Sequence, residues 1–414
     1  MNFRAINKIK TINDPVYGFI TIPSELVYDI MEHPWFQRLR RIKQLGLTNY
    51  VYPSAHHTRF QHALGAMHLM RQAVGVLRSK GIQISHEEAE GLSIAILLHD
   101  IGHGPFSHTL EQSIVKGLSH EDISDMFIAG LNDLFNGKLE VARKIFRGTH
   151  EKKFLHKLVS SQLDMDRLDY LSRDSFFTGV AEGTINTDRI INMLTVCDDE
   201  LVVEAKGIYS IEKFIIARRL MYWQVYLHKA VLAADQMLVN ILKRAKMLGE
   251  TEKDIPATPA LKYFLTHDIG KEDFKKDPAC LERFALLDDF DVVTSIKLWM
   301  DHHDRVLSTL CRSLINRNLF RMEIRNESFA PDYIEGIKDA VALKYGLKSE
   351  EITYFVNTEV VTNHAYNPRH DKILIRLGDG TLTDVAAASE QLDIAVLSTT
   401  VSKHLLSYPK DIKI

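Results

Sequence analysis

Cysteine is scarce: Cys197, Cys280 and Cys311 are scattered through 414 residues with no CxxC spacing. That pattern excludes a disulfide framework and a cysteine-rich zinc module, and it fits a reducing, cytoplasmic setting. A surplus of one charge is lacking too. The 51 Lys and Arg against 54 Asp and Glu leave a net charge of −3, so neither a polybasic membrane anchor nor bulk nucleic-acid binding is expected. The longest apolar stretch, near residues 92–98, is too short to span a bilayer, and the opening MNFRAINKIK lacks the apolar core of a secretion signal. Internal repeats and low-complexity tracts are absent. What remains is globular composition, 45% hydrophobic and 25% charged, in a chain long enough to bury a core without staples. At about 150 residues per domain, two or three domains are expected.

Helical periodicity dominates most of the chain. A strand-like piece at 18–22 precedes helices expected at 24–32, with Ser24 as N-cap, and at 34–45, opened by Pro34. Phe60, Leu64, Met67, Met70, Val74 and Leu77 recur at helical spacing, and the apolar segment 90–99 reads as part of a buried helix. A helix is expected at 160–174 and a hairpin around Asp198-Asp199. One long helix is expected at 209–248, which contains no Gly or Pro, and another helical stretch at 290–316. Strands are expected at 319–324, 351–361 and 372–377, with a helix at 333–345 between the first two. The fold class is mainly α, a helical bundle with a short β-hairpin, divided into a body at 1–315 and a small C-terminal α/β region at 316–414.

Histidine is the residue in local excess. Ten of the 19, namely His33, His56, His57, His62, His68, His86, His99, His103, His108 and His120, fall in the first 120 residues. Histidine ligates metals and moves protons near neutral pH. His99-Asp100 closes the buried helix. Neighbours on a helix diverge by about 100°, but at a helix end both can turn toward one ion beyond the last turn. The glycines that follow allow a sharp bend, which brings His103 and His108 toward the same volume, with His120-Glu121 further on. Upstream, His62 shares a helix with Phe60 and Leu64. His68 lies about 240° round that helix from His62 and reads as a packing or surface residue. In SQLDMDRLDYLSRD, Asp166, Tyr170 and Asp174 stand at i, i+4, i+8 beside Arg167. Alone, this is a solvated acidic face; within a site it offers a metal, a sugar and a phosphate contact. Arg218, Tyr222, Tyr226 and Lys229 share a face of the long helix, which is either surface amphipathicity or a polyphosphate and sugar site. Asp301-His302-His303-Asp304 reads as a solvated helix face, His56-His57 as a loop near the site, and His33 and His86 as cap or surface residues.

The motifs RLRRIKQLG (38–46), YVYPSAHHTRFQHALG (50–65), HDIGHGPFSH (99–108), Ser-His-Glu (119–121) and LDMDRLDYLSRD (163–174) follow one another in this order. So chained, they resemble the HD superfamily of metal-dependent phosphohydrolases. Within it they are similar to the deoxynucleoside triphosphate triphosphohydrolases, the group that includes sterile-alpha-motif-and-HD-domain enzymes. The likeness covers roughly residues 10–240, and RNLFR (317–321) more weakly. It implies an HD-domain bundle binding one divalent ion through His62, His99, Asp100 and Asp166, with Mn, Fe, Co, Ni, Zn and Mg not distinguished. It implies hydrolysis of a dNTP to deoxynucleoside and inorganic triphosphate. Arg59, His103, His120, Arg167, Arg218 and Lys229 would contact phosphates, and His108, supported by Glu111, would protonate the leaving oxygen. Gln44 and Asp174 would hold the sugar 3′-hydroxyl, Leu45 would join the substrate wall, and Tyr170 and Tyr226 would pack on the deoxyribose.

The pattern departs from the family at Leu47-Thr48-Asn49 (glycines), Glu111 (aspartate), Arg167 (lysine) and Glu32 (aspartate). Lys10, Asn13, Glu32, Arg40 and Arg317 stand at activator-site positions of the family, so a nucleotide activator is carried forward as an expectation, as is a homo-oligomer, dimer or tetramer. Two other readings remain: an HD phosphohydrolase acting on another phosphoester, and a nucleotide-sensing regulator without catalysis.

Overall fold

The computed structural model describes residues 10–106, 113, 115, 117–252, 254–363, 366–367, 371–389 and 401–413. Helices dominate, with small sheets at the periphery, the mainly α architecture expected. An N-terminal hairpin pairs β1 (Thr11–Asp14) with β2 (Gly18–Thr21), Asp14 opposite Gly18. α1 (Glu25–Glu32) starts on Ser24, whose hydroxyl accepts from the Val27 N–H. His33 accepts from the Trp35 N–H and so caps the single turn Pro34–Gln37.

Four helices build the site. α2 (Arg59–Ser79) packs on α3 (His86–Leu98) and on α5 (Met165–Thr178). α3 is buried on every side from Gly91 to Leu98, which is why its sequence runs apolar without alternation. α4 (His120–Leu134) faces the turn after α3. There the Ser124 hydroxyl donates to the His99 carbonyl and accepts from the Gly102 N–H. A Cβ on Gly102 would stand 2.2 Å from the His120 carbonyl oxygen, so only glycine lets this turn approach α4. α5 starts on Asp164, which accepts from the Arg167 N–H at 2.7 Å, and ends at Gly179 in the left-handed region, φ 74°.

β3 (Leu194–Cys197) and β4 (Glu200–Glu204) form the expected hairpin. Its turn places Asp198 and Asp199 at φ 51° and 63°, the pair of positive angles that a tight two-residue hairpin requires. α6 (Ile208–Met221) and α7 (Lys229–Glu252) follow, then α8 (Asp289–Trp299), α9 (Arg305–Ile315), β5 (Arg321–Arg325) and α10 (Pro331–Tyr345). The tail adds β6 (Asn357–Asn363), β7 (Leu374–Arg376), β8 (Leu382–Asp384) and β9 (Val401–Tyr408). The strand order is β3-β4-β7-β8 in one sheet, where β7 runs parallel to β4, and β5-β9-β6 in the other, antiparallel throughout. Among the described residues no helix is long and apolar enough to cross a membrane.

Local expectations are corrected at several points. The helix at 34–45 is only the turn Pro34–Gln37 and a 3₁₀ turn Arg38–Arg41, because Ile42 is extended and the Arg59 N–H reaches its carbonyl. The helix at 160–174 begins five residues late, since Asp164 caps it. The single helix at 209–248 is broken. After α6 the chain widens into a π turn, Tyr222–Tyr226, and the Leu227 N–H bonds back to the Tyr222 carbonyl. The stretch 290–316 is two helices, because Asp304 leaves the helical region, accepts from the Leu307 N–H and caps α9. Asp301-His302-His303-Asp304 is therefore a turn between helices, not a helix face. Strand 351–361 starts late: Ser349–Tyr354 is a 3₁₀ turn and β6 begins at Asn357. Neither β1 nor β9 was anticipated.

Candidate metal centre and its cavity

The end of α3, the first turn of α2 and the first turn of α5 converge. His62 Nε2 and His99 Nε2 are 3.4 Å apart. Asp166 Oδ1 lies 3.0 Å from the first and 3.4 Å from the second. Donors about 2.1 Å from one ion would subtend roughly 90–110° at these separations, an angle that first-row divalent ions accept. Asp100 Oδ1 is 3.4 Å from His99 Nε2, and its other oxygen is 3.7 Å from His62 Nε2 and paired with Arg59. Each imidazole is held by its other nitrogen: His62 Nδ1 lies 2.7 Å from Asp169, and His99 Nδ1 2.6 Å from the Ile96 carbonyl. Donation from Nδ1 turns the Nε2 lone pair toward the shared volume. Two oriented imidazoles and a carboxylate fit a divalent ion on donor chemistry and on spacing.

A buried chain of charge stands behind His62. Asp169 is bound by Arg173 through two hydrogen bonds of 2.9 Å, and Arg173 reaches Asp14, 2.7 Å away at the end of β1. All three side chains are almost fully buried. Burial acts against each charge, but the Arg173 guanidinium holds the Asp169 carboxyl below its ordinary range. Gly65 on α2 makes room: a Cβ there would sit 1.9 Å from Asp169 and 2.1 Å from Arg173. Arg38 is a second buried support. It donates to the carbonyls of Leu287, Ile101 and His103 and so fixes the turn after His99-Asp100; burial lowers its guanidinium to about 9.

Arg59, paired with Asp100, also lines a cavity of about 420 Å³ that Gln44, Leu45 and Tyr226 share. The Tyr226 hydroxyl donates to Asp174 at 2.7 Å, and the other Asp174 oxygen is 2.7 Å from His57 Nε2. His57 is buried and stacks on Phe177, their centroids 4.6 Å apart. The Tyr170 and Tyr226 rings meet edge to face at 6.4 Å. Beside Asp100, the His103 and His120 rings stack at 3.9 Å. Burial and the neighbouring Arg59 push His103 well down, so its imidazole is neutral.

Residues 59–174 match the HD domain, and residues 185–257 the HD associated region. The fold superposes on the crystal structure of a phosphohydrolase from Bacteroides thetaiotaomicron with a TM-score of 0.94 and 53% sequence identity, covering 97% of this chain and 100% of that one. The chain is also 35% identical over 323 residues to the uncharacterized protein YwfO of Bacillus subtilis, 76% of this chain and 72% of YwfO. The chain belongs to the HD-domain phosphohydrolase family. Further off, the chain is 30% identical over 255 residues to the deoxynucleoside triphosphate triphosphohydrolase SAMHD1 homolog of Dictyostelium discoideum. That alignment spans 57% of this chain and 49% of the relative.

Within this chain, His62, His99, Asp100 and Asp166 come together, with Arg59, His103 and His120 around them. His108 and Glu111 lie outside the described residues. Arg167 is drawn back to Asp164 at the start of α5, which raises its guanidinium against the cost of burial. Arg218 lies near enough to the Tyr170 phenol to act on it. The shared face of Arg218, Tyr222, Tyr226 and Lys229 is corrected: the π turn puts Lys229 at the first position of α7, exposed, on a separate helix.

Of the activator positions, Lys10 covers the Tyr28 ring of α1, Arg40 lies within the field of Glu32, and Asn13 is exposed on β1. Arg317 donates to the Tyr50 carbonyl. His68 packs against Tyr17, as its place on α2 suggested. Asp169, Arg173, Asp14 and Arg38 were not singled out from sequence, and His57 was read only as part of a loop near the site. The i, i+4 spacing of Asp169 and Arg173 is the one local signal that pointed to part of this set.

Metal loading is expected to compete with protons. Burial opposes the charged His62 ring, but hydrogen bonds to Asp166 and Asp169 raise it to about 10. A raised histidine stabilises the metal-free fold fully below its unfolded value of about 6.5 and loses that contribution as pH climbs through 10. A cation takes the proton's place. The rise in melting temperature on adding Mn²⁺ is therefore expected to be larger at pH 8.5 than at pH 6; thermal unfolding with and without metal checks it, and an equal or smaller rise at pH 8.5 contradicts it.

Proposed function

We propose that the chain hydrolyses deoxynucleoside triphosphates to deoxynucleoside and inorganic triphosphate, with His62, His99, Asp100 and Asp166 holding a divalent ion. One observation carries the reading: Arg59 touches the Asp100 carboxylate and at the same time lines the cavity whose wall contains Gln44, Leu45 and Tyr226. A triphosphate anchored near Arg59 thus has its nucleoside directed into that cavity. The ion supplies Lewis-acid stabilisation of a phosphoryl group. Arg59, His120, Arg167, Arg218 and Lys229 supply positive charge or hydrogen bonds for the polyphosphate. Neutral His103 acts as a hydrogen-bond donor beside the cluster, and His108 with Glu111 takes the general-acid role.

Tyr226, fixed by Asp174, which His57 also holds, packs against the sugar with Tyr170 and crowds a 2′-hydroxyl, which favours deoxyribose. The relative named a deoxynucleoside triphosphate triphosphohydrolase supports the substrate class. An activator nucleotide near Lys10, Asn13, Glu32, Arg40 and Arg317, and assembly as a dimer or tetramer, belong to the same proposal. The test is a chromatographic screen of four dNTPs and four NTPs against Mn, Fe, Co, Ni, Zn and Mg, with and without a guanine nucleotide. Triphosphate and deoxynucleoside are the expected products, and a protein carrying both His99→Ala and Asp100→Ala is expected to form none. Orthophosphate as the product, or no turnover in any metal, overturns the reading.

A further inference from the structure

The cavity beside Arg59 does not end at Tyr226. It continues along α7 to Asp235 and Gln236, and Glu359 of β6 also lines it. The Asp235 side chain makes no hydrogen bond or ion pair with any described residue, and Asp235 lines this wall. Gly46, in the left-handed region at φ 50°, passes close by: a Cβ on it would meet Asp235 Oδ1 at 3.9 Å, an ordinary van der Waals contact. Gln44 lines the same cavity, and its buried Oε1 has no hydrogen-bond partner. A carboxyl and a buried amide oxygen, both unpartnered on residues that line one cavity, are best satisfied by donors from whatever fills it.

We propose that Asp235 is a base-reading residue, accepting from the Watson–Crick edge of a guanine whose sugar packs on Tyr226. This rests on the dNTP reading above. An ionised carboxylate offers two acceptors side by side. Among the four DNA bases only guanine presents two adjacent donors, N1–H and the N2 amino group. Adenine sets its one donor beside one acceptor, cytosine sets its one donor beside two acceptors, and thymine offers a single donor between two carbonyls. Gln44 Oε1 and the Glu359 carboxylate add acceptors to the cavity and disfavour bases that turn carbonyls toward it. Burial raises the Asp235 carboxyl to about 7. Ionisation, and with it the match to guanine, therefore increases as pH climbs through neutrality. The other titratable groups lining the cavity are Arg59, Tyr222, Tyr226 and Glu359, and burial raises both phenols, which stay neutral there.

The experiment is competitive turnover of an equimolar dNTP mixture by metal-loaded protein between pH 6 and 8.5, comparing wild type with Asp235→Asn and Asp235→Ala. In wild type the dGTP to dTTP ratio of kcat/KM is expected to rise with pH. In both variants it is expected to fall about tenfold or more and to lose that slope, since a good bidentate pair is worth roughly that discrimination. Metal content and circular dichroism establish that each variant is folded. If dNTPs turn over but both variants keep the wild-type ratio and slope, this assignment alone is overturned. If wild type turns over no dNTP in any metal, the dNTP reading falls and this assignment with it.

Discussion

Asp166→Ala is expected to leave the protein folded and to lower turnover on the order of 10³-fold or more, because a bound cation contributes several kcal/mol of charge stabilisation. Asp166 sits in the first turn of α5 and is half-buried, its Oδ1 3.0 Å from His62 Nε2 and 3.4 Å from His99 Nε2. No apolar packing is lost with it, so the change removes one donor and little else. Metal content measured after gel filtration is expected to fall toward zero. Asp166→Asn separates charge from shape: it keeps a carbonyl oxygen and is expected to lose most of the metal as well, because divalent ions favour the anion. A fully loaded and active Asp166→Ala protein would show that the ion is held elsewhere.

Gly65→Ala is expected to damage the same site from behind, without touching a metal donor. The added methyl would lie 1.9 Å from Asp169 and 2.1 Å from Arg173, so the buried pair must move. Asp169 is the partner that orients His62, and Arg173 is tied to Asp14 on β1. Disrupting a buried charge pair costs about 3–5 kcal/mol, and loss of an orienting partner weakens metal binding by roughly 10–100-fold. A lower melting temperature together with the weaker metal affinity is expected from thermal unfolding and metal titration. Wild-type values of both would mean that α2 and α5 separate at little cost, and the proposed role of the Asp14–Arg173–Asp169 chain would fall. Further along α2, exposed Gly75 has no atom within 4 Å of an added Cβ. Gly75→Ala is thus the matched control, expected to be neutral or slightly stabilising.

Much of the centre was legible in the chain. His99 and Asp100 stood out because a buried helix ending in His-Asp, followed by glycines and more histidines, is hard to explain as packing, whereas the full set with His62 and Asp166 was implied by the resemblance of the chained motifs. The π turn at Tyr222–Tyr226 was not legible, since nothing in a run free of Gly and Pro announces a sixth residue in one turn. His57 looked like a rim residue because its partner, Asp174, lies 117 positions away. The division of Asp301–Asp304 into a cap and a turn was hidden for a similar reason: Asp304 is bound by Arg244 of α7 as well as capping α9. Its neighbours His302 and His303 instead lie near Glu252 at the surface.

Sequence by itself determined the mainly α class, the β3–β4 hairpin, the metal-type donors and the order in which they occur. Those properties rest on periodicity, turn chemistry and side-chain type, all of which act within a few residues. Tertiary structure alone decided which donors face one another, that Asp14 reaches Arg173 across 159 positions, and that β9 joins β5 to β6. It also decided that Asp235 opens into the cavity beside Arg59. These depend on how buried charges and sheet edges find partners far along the chain, where satisfying each polar group as water is excluded selects one arrangement among many that the local pattern allows.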